Sequence, residues 1–312
     1  MNSWAHLTDF GVVHPLIFLE CRGGEGPILE TLSTIISDCE FGAVEIAPIK
    51  DPELRGKAKA LLSQSQLQIV YLPILPVLLE KLELGSADGD LRTVAIARLK
   101  VLIDEAIDMG CAMAMVQGPV DPGPSKRALT TDRLVEDLQE LCDYASAQSR
   151  KQQLFITFEN FDREVEKRRL IGPTVEAARM ADAVDRQNFG LTVDLSHLAL
   201  LNETALHAVK TAGRHLVHAH IGNCVVQHPE SELYGDFHPR FGHPLGCNDL
   251  PEVVDYLKQL NAAQFWETAR KRLRSIPIIS MELRPVPGED SPAAVLANGK
   301  RTFMRAWASA KI

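Results

Sequence analysis

No apolar run in this 312-residue chain reaches the roughly 18 residues that a membrane-spanning helix needs, so no such helix is expected. The six cysteines, at positions 21, 39, 111, 142, 224 and 247, include no C-x-x-C pair and follow no regular spacing. That scatter excludes a disulfide framework and points to reduced, mostly buried thiols. The opening MNSWAHLTDF lacks the positive start and apolar core of a signal peptide, which makes a cytoplasmic location the expectation. No G-x-G-x-x-G follows a β-rich run and no G-x-x-x-x-G-K-[ST] occurs, so neither a dinucleotide nor a P-loop site is indicated. Blocks of like charge are absent too. With a net charge of −8, the chain has no basic footprint for nucleic acid. Its local basic cluster, Arg270-Lys271-Arg272-Leu273-Arg274, reads as a solvated helix end.

What the chain does contain is a globular balance, 46% apolar and 24% charged, and a repeated alternation of short β-rich runs with longer helical patterns. The expected strands are Val12–Leu19, Ala43–Pro48, Gln68–Leu75, Ala112–Gln117, Leu154–Glu159, Gly190–Asp194, Leu216–Ile221 and Ile276–Glu282. They are continuously apolar, as parallel strands covered on both faces are. Helical periodicity marks Ile28–Cys39, Leu91–Met109, Asp132–Ala147, Val175–Val184, Ala205–Ala212, Pro251–Leu260 and Ala293–Ala308. Eight strands alternating with helices predict an α/β fold, a (β/α)8 TIM barrel, forming a single domain over residues 1–312. The stretch from Gly222 to Asp249, rich in Gly, Pro and His, is too long for an ordinary connection and overhangs the barrel mouth.

The last four strands end on chemistry-bearing residues: Glu159, Asp194, His220 and Glu282. In a barrel the C-terminal strand ends face the mouth, so three carboxylates and one imidazole aim at one spot. Clustered carboxylates repel, and one divalent cation resolves the conflict. An oxygen-rich set with one imidazole suits Mn2+ best, with Mg2+ and Co2+ close and Zn2+ also compatible. The competing reading pairs each acid with a nearby arginine such as Arg163 or Arg284.

The segments FGAVEIAPI, LFITFEN, FGLTVDLSHL, LVHAHIGN and IISMELRP resemble the xylose-isomerase-like TIM-barrel superfamily of sugar phosphate isomerases and epimerases, from about residue 40 to residue 285. The resemblance implies that Glu159, Asp194, His220 and Glu282 are the metal ligands. It implies that Glu159 and Glu282 are the acid/base pair on opposite faces of a ketose. His197 takes the family's D-x-x-H position, against substrate or a metal-bound water, and Arg240 resembles a substrate-contacting arginine of the strand-7 loop. His238 and His243, in the same loop, are candidates for a second metal or an independent base.

Other residues are read from position alone. His218 lies two residues before His220 on one strand face and reads as a substrate contact or an orienting group. Glu45, inside the second strand, is either a substrate contact or half of a buried ion pair. Asn160, directly after Glu159, and Asn223, three residues after His220, are candidates for binding substrate hydroxyls; His14 and Gln117 lie near strands 1 and 4. Trp4, Trp266 and Trp307 read as packing or interface residues.

The implied activity is a metal-dependent isomerase or epimerase acting on a ketose, an inositol derivative or a related keto-sugar through a metal-stabilised enediolate. The same intermediate eliminates when a leaving group sits β to the carbanion. The alternative is therefore a lyase or dehydratase, of the 3-keto-glycoside or dehydroshikimate type, and one working with a small partner subunit fits the modified loop. More distant readings are an apurinic-site endonuclease, for which strands 1 to 4 offer only His14 and Glu45 as ligands, and a non-catalytic binding protein. The expected partner is a small sugar or polyol, with a homo-oligomer also compatible. An unphosphorylated substrate is expected, since no Gly-rich turn with a cation marks a phosphate site.

Overall fold

The structure, a computed structural model, describes residues 4–149 and 152–312. Eight strands, β1 (Asp9–Val13), β2 (Ala43–Ile46), β3 (Gln68–Tyr71), β4 (Met113–Gln117), β5 (Phe155–Glu159), β6 (Phe189–Asp194), β7 (Leu216–Gly222) and β8 (Ile278–Glu282), close into one barrel in sequence order. Every adjacent pair is parallel, and β8 closes on β1 through pairs such as Val12 with Met281. Helices run between the strands around the outside, so the chain is a (β/α)8 barrel.

Alternate residues of each strand point inward. Val13, Ala43, Val70, Met113, Met115, Phe155 and Ile278 form one apolar cluster that fills the lower barrel. A larger cluster, including Val12, Val44, Tyr71, Phe158, Leu191 and Met281, packs the opposite strand faces against the helices. On this alternation Glu159 follows Phe155 and Thr157 on the inner face, and Glu282 follows Ile278 and Ser280. Each polar residue thus crowns a strand whose lower positions are filled.

Two strands differ from the sequence reading, and proline is the reason in both. The first strand ends at Val13 and the chain turns into a short helix, His14–Ile17, whose first turn accommodates Pro15. Pro15 has no N–H to give a neighbouring strand. Likewise the third strand stops at Tyr71, and Pro73 caps the helix Ile74–Leu79. A helix over Pro52–Leu62 went unread because it buries only Ala58 and Leu62 and has little apolar stripe. The longest expected helix runs over Gly89–Met109, opened by the Asp88 carboxylate, which accepts from the N–H groups of Asp90 and Leu91, and closed by Gly110 at φ 76°.

All six cysteines are free and four are buried. The three tryptophans are buried in packing, Trp266 against Trp307 among them. The basic cluster is not wholly solvated: half-buried Arg272 donates to the carbonyls of Phe189 and Arg214, tying the start of β6 to the β7 entry. A guanidinium does this because its fork spans two carbonyls at once. Among the described residues, no helix is long and apolar enough to cross a membrane.

Candidate metal centre

Glu159, Asp194, His220 and Glu282 each offer one ligand atom, and all four atoms lie within 4.8 Å of one another. Register brings them together: Glu159 pairs with Thr192 on β6, Asp194 pairs with His220, and Gly222 pairs with Glu282. Gly222 occupies the inward position between Asp194 and Glu282. A Cβ there would lie 2.9 Å from the Glu282 carbonyl, 3.0 Å from His238 Nδ1 and 3.3 Å from Asp194 Oδ1. Only glycine leaves that space open.

His220 faces two ways. Its Nδ1 is 2.6 Å from Glu282 Oε2 and 3.3 Å from Glu159 Oε1, whereas its Nε2 is 3.0 Å from Glu45 Oε1. Glu45 is fully buried and also lies 2.8 Å from His218 Nε2. His218 Nδ1 is 3.2 Å from the Ile278 carbonyl. Glu45 and His218 therefore sit behind His220, the arrangement in which a carboxylate can fix a ring that binds a metal. Burial would raise the Glu45 carboxyl, but the His220 and His218 charges overcome this and hold it well below its ordinary range.

The donor set passes a direct test of fit. Glu159 Oε1, His220 Nδ1 and Glu282 Oε2 are buried and lack a well-formed hydrogen bond, although they converge on one point. Buried polar atoms are almost always satisfied. Three unsatisfied atoms from three strands, with Asp194 beside them, are what a divalent cation would complete. Neither Arg163 nor Arg284 pairs with these acids: Arg163 bonds Glu176, and among the described residues Arg284 has no ion-pair partner.

In the metal-free protein the two glutamates differ. Burial, together with the nearby Glu282 charge, pushes Glu159 up to about 7. Burial acts on Glu282 in the same direction, but the His238 and His220 charges outweigh it and hold Glu282 below its usual value. For His220, burial disfavours the charged ring, yet Glu45 and Glu282 hold it well above the usual range.

A second cluster adjoins the first. Asp194, on which the short helix Leu195–Leu200 is capped, accepts from Ser196 N at 2.8 Å, and the same turn brings His197 Nε2 to 3.6 Å from Asp194 Oδ2. From the strand-7 loop, Asp236 Oδ1 lies 3.2 Å from His197 Nε2 and 3.0 Å from His238 Nε2. Asp194, His197 and His238 could together hold a cation. As it stands, burial opposes ionisation of Asp236, but the His238 and His197 charges hold it well below the usual carboxylate range. Burial lowers His238, while Asp236 and Glu282 push it up to about 9. Asp236 was missed in the sequence; its two-residue spacing from His238 in a loop over the mouth was the available signal.

Residues of the strand-7 loop, 223–249, line the cavity, and the charged loop after β5 is bonded to it. Asp162 accepts from the N–H groups of Val165, Glu166 and Lys167 at 2.7–2.8 Å, and Glu166 accepts from Asp236 N at 2.5 Å. Asn160, Asn223 and Arg240 are turned away from the cavity. Asn160 Nδ2 donates to the Gly172 carbonyl, Asn223 Nδ2 donates to the Arg240 carbonyl, and Arg240 Nε donates to Asp290 at 3.0 Å. None of the three lines the cavity, nor do Glu45, His197 and His218. For Asn160 and Asn223 the reason is that loop backbone carbonyls need donors, and Arg240 is held instead by the Asp290 carboxylate. His14 Nε2 bonds Thr31, burial pulls its ring down to about 4, and it is therefore neutral. His243 lies 3.6 Å from exposed Glu289, apart from both clusters. Gln117 ends β4 opposite Glu159, with both amide atoms buried and unpartnered.

Above the ligands lies a cavity of about 370 Å³. Glu159, His220, His238 and Glu282 form its polar floor; Val13, Leu16, Leu72, Ile74, Leu75 and Met115 form an apolar wall from the β1–β4 half; Arg22, Lys167 and Arg284 bring positive charge. Neither the apolar wall nor Arg22 was legible in the sequence.

Fold and cluster together define a TIM barrel with a candidate metal centre at the C-terminal mouth. A family model for the xylose isomerase-like TIM barrel matches residues 34–270, and the chain belongs to that family. Among curated proteins none matches the chain. Solved structures do. D-psicose 3-epimerase with D-tagatose from Clostridium cellulolyticum H10 is 16% identical, with a TM-score of 0.67, over 97% of this chain and 98% of that one. An L-ribulose 3-epimerase is 13% identical, with a TM-score of 0.71, over 97% of each chain. The IOLI protein with a binding zinc atom is 15% identical, with a TM-score of 0.63, over 97% of this chain and 96% of that one. At such identities the likeness establishes the shared fold.

Proposed function

We propose that the chain is a divalent-metal-dependent isomerase or epimerase of a ketose, an inositol derivative or a related keto-sugar. The observation that carries the reading is the convergence of Glu159, Asp194, His220 and Glu282 on one point, with the buried ligand atoms of Glu159, His220 and Glu282 unsatisfied at the floor of a cavity of substrate size. The likeness to sugar 3-epimerases is consistent with it.

A bound Mn2+ or similar ion would supply Lewis-acid polarisation of a hydroxy-ketone. The chain's own residues do the rest. Glu159 and Glu282, from β5 and β8, exchange the proton at the carbon beside the carbonyl. Their environments drive their proton affinities apart, as an acid/base pair requires. Glu45 and His218 fix the His220 ring. The loops around Lys167 and Asp236 close the mouth against water.

The apolar wall favours one alternative on the same residues: elimination of a β leaving group, whose aglycone or ring carbons would lie on Leu72, Ile74 and Leu75. An apurinic-site nuclease is disfavoured, because His14 is spent on Thr31 and Glu45 lies behind His220. Incubation of the Mn2+-loaded protein with a panel of ketoses and keto-glycosides in D2O tests the proposal. Deuterium incorporation at the carbon beside the carbonyl, with no group lost, is the expected result. Release of water or an aglycone would replace epimerisation by elimination, and no incorporation with Glu159→Gln still binding Mn2+ normally would overturn both.

A further inference from the structure

The proposed reaction accounts for the floor of the cavity but not for two arginines above it. Arg22 follows the turn Leu19–Cys21 after β1, and Arg284 lies two residues beyond Glu282 on the exit of β8. Strands β1 and β8 are neighbours in the barrel, so the two side chains enter the cavity from adjacent strands. Among the described residues neither has a carboxylate within ion-pair distance, and the Nε of each is buried without a partner. Glu166, a carboxylate on the same cavity lining, is engaged with Lys167 Nζ at 2.6 Å and with Asp236 N.

Arg284 is nonetheless held in place. Its backbone N–H donates to the His238 carbonyl at 2.6 Å, and its guanidinium lies 4.2 Å over the Phe237 ring. Two like charges lining one cavity, partly buried and unpaired, are costly unless a ligand neutralises them. A neutral sugar hydroxyl does so poorly; an anion does so through charge-assisted, two-pronged bonds. The facing wall of Leu16, Leu72, Ile74 and Leu75 offers no hydrogen-bonding side chain, so a ligand hydroxylated on every carbon would lose bonds to water there.

We propose that Arg22 and Arg284 form an anion-recognition pair, and that the substrate is a hydroxy-oxo compound with a compact apolar carbon face and one carboxylate or phosphate group. This deepens the metal-centre reading and rests on it for the hydroxy-oxo part alone. It departs from the unphosphorylated polyol expected from the sequence, because a guanidinium pair from two separate strands has no local motif.

Benzoate, phenyl phosphate and benzyl alcohol share a ring and differ in charge, and their affinities by calorimetry decide the matter, measured with Mn2+ present and again after chelation. The expected result is that an anion binds at least about tenfold more tightly than benzyl alcohol in both states, the size of one charge-assisted contact. Benzoate ahead assigns a carboxylate, and phenyl phosphate ahead assigns a phosphate. In R22Q/R284Q the preference should fall to within about twofold, while R22K/R284K keeps part of it. No anion preference in the unaltered protein, a preference that survives R22Q/R284Q, or one seen only with Mn2+ would each overturn the proposal. The chelated measurement needs no metal, so its failure counts against the arginines, whereas failure to bind Mn2+ counts against the metal centre.

Discussion

Replacing Glu45 by Gln removes one negative charge from behind His220 while keeping the volume of the side chain. Glu45 is fully buried, with Oε1 2.8 Å from His218 Nε2 and 3.0 Å from His220 Nε2. It touches neither the cavity nor the expected cation, so any effect on metal binding passes through the His220 ring. When a cation displaces the proton from Nδ1, the Glu45 carboxylate would keep the remaining proton on Nε2 and leave the Nδ1 lone pair for the ion. Loss of such a partner typically weakens metal binding about 10- to 100-fold, or roughly 1.5–3 kcal/mol. An opposing effect exists. Glu45 is the first of the charges that hold His220 well above its ordinary range, so the substitution also lowers the proton's competition for Nδ1. The affinity loss should therefore be largest at high pH, where proton competition has faded, and smaller at low pH. Calorimetric titration of Mn2+ into E45Q and the unaltered protein across that range reads both effects, with thermal unfolding as the check on fold. An affinity within twofold of the original at every pH, with only a lower Tm, would refute the orienting role and leave Glu45 as a packing charge.

Gly222→Ala places a methyl 2.9 Å from the Glu282 carbonyl and 3.0 Å from His238 Nδ1. Overpacking of this kind costs about 1–3 kcal/mol, so Tm should fall and Mn2+ binding should weaken, both readable in one thermal-shift series with and without metal. Metal binding to the unaltered protein should tighten as pH rises, by up to about tenfold per unit for each proton released, because His220 is held protonated in the metal-free state; a pH-independent Kd would contradict this. The folded His238 pKa is about 9 against an ordinary 6.5, so its ion pair with Asp236 stabilises the metal-free protein fully below 6.5 and is lost as pH climbs through 9. Denaturant midpoints of the chelated protein should fall over that window. Asp236→Asn should cost about 3–5 kcal/mol by leaving buried His197 and His238 charges uncompensated, measured by urea unfolding at pH 6.

The sequence by itself determined the barrel and the four strand-end residues that form the candidate metal centre, because both are written locally. Strands buried on both faces read as continuous apolar runs, and a residue at the end of a parallel strand faces the mouth whatever surrounds it. Proline set the limits of that legibility: Pro15 and Pro73 ended strands that apolar content alone would have extended. Tertiary structure decided what no local pattern encodes. Glu45 was left open between substrate contact and buried pair until closure of the barrel set it against His218 and His220, 173 and 175 residues away. Asn160, Asn223 and Arg240 were candidates for the substrate until loop carbonyls engaged the two asparagines and the Asp290 carboxylate engaged the arginine. The apolar wall arises when β1 to β4 come together and the arginine pair when β1 meets β8, since their residues come from separate segments with no shared spacing. Ligand identity is a property of a strand end, whereas the shape and charge of the cavity belong to the closed barrel.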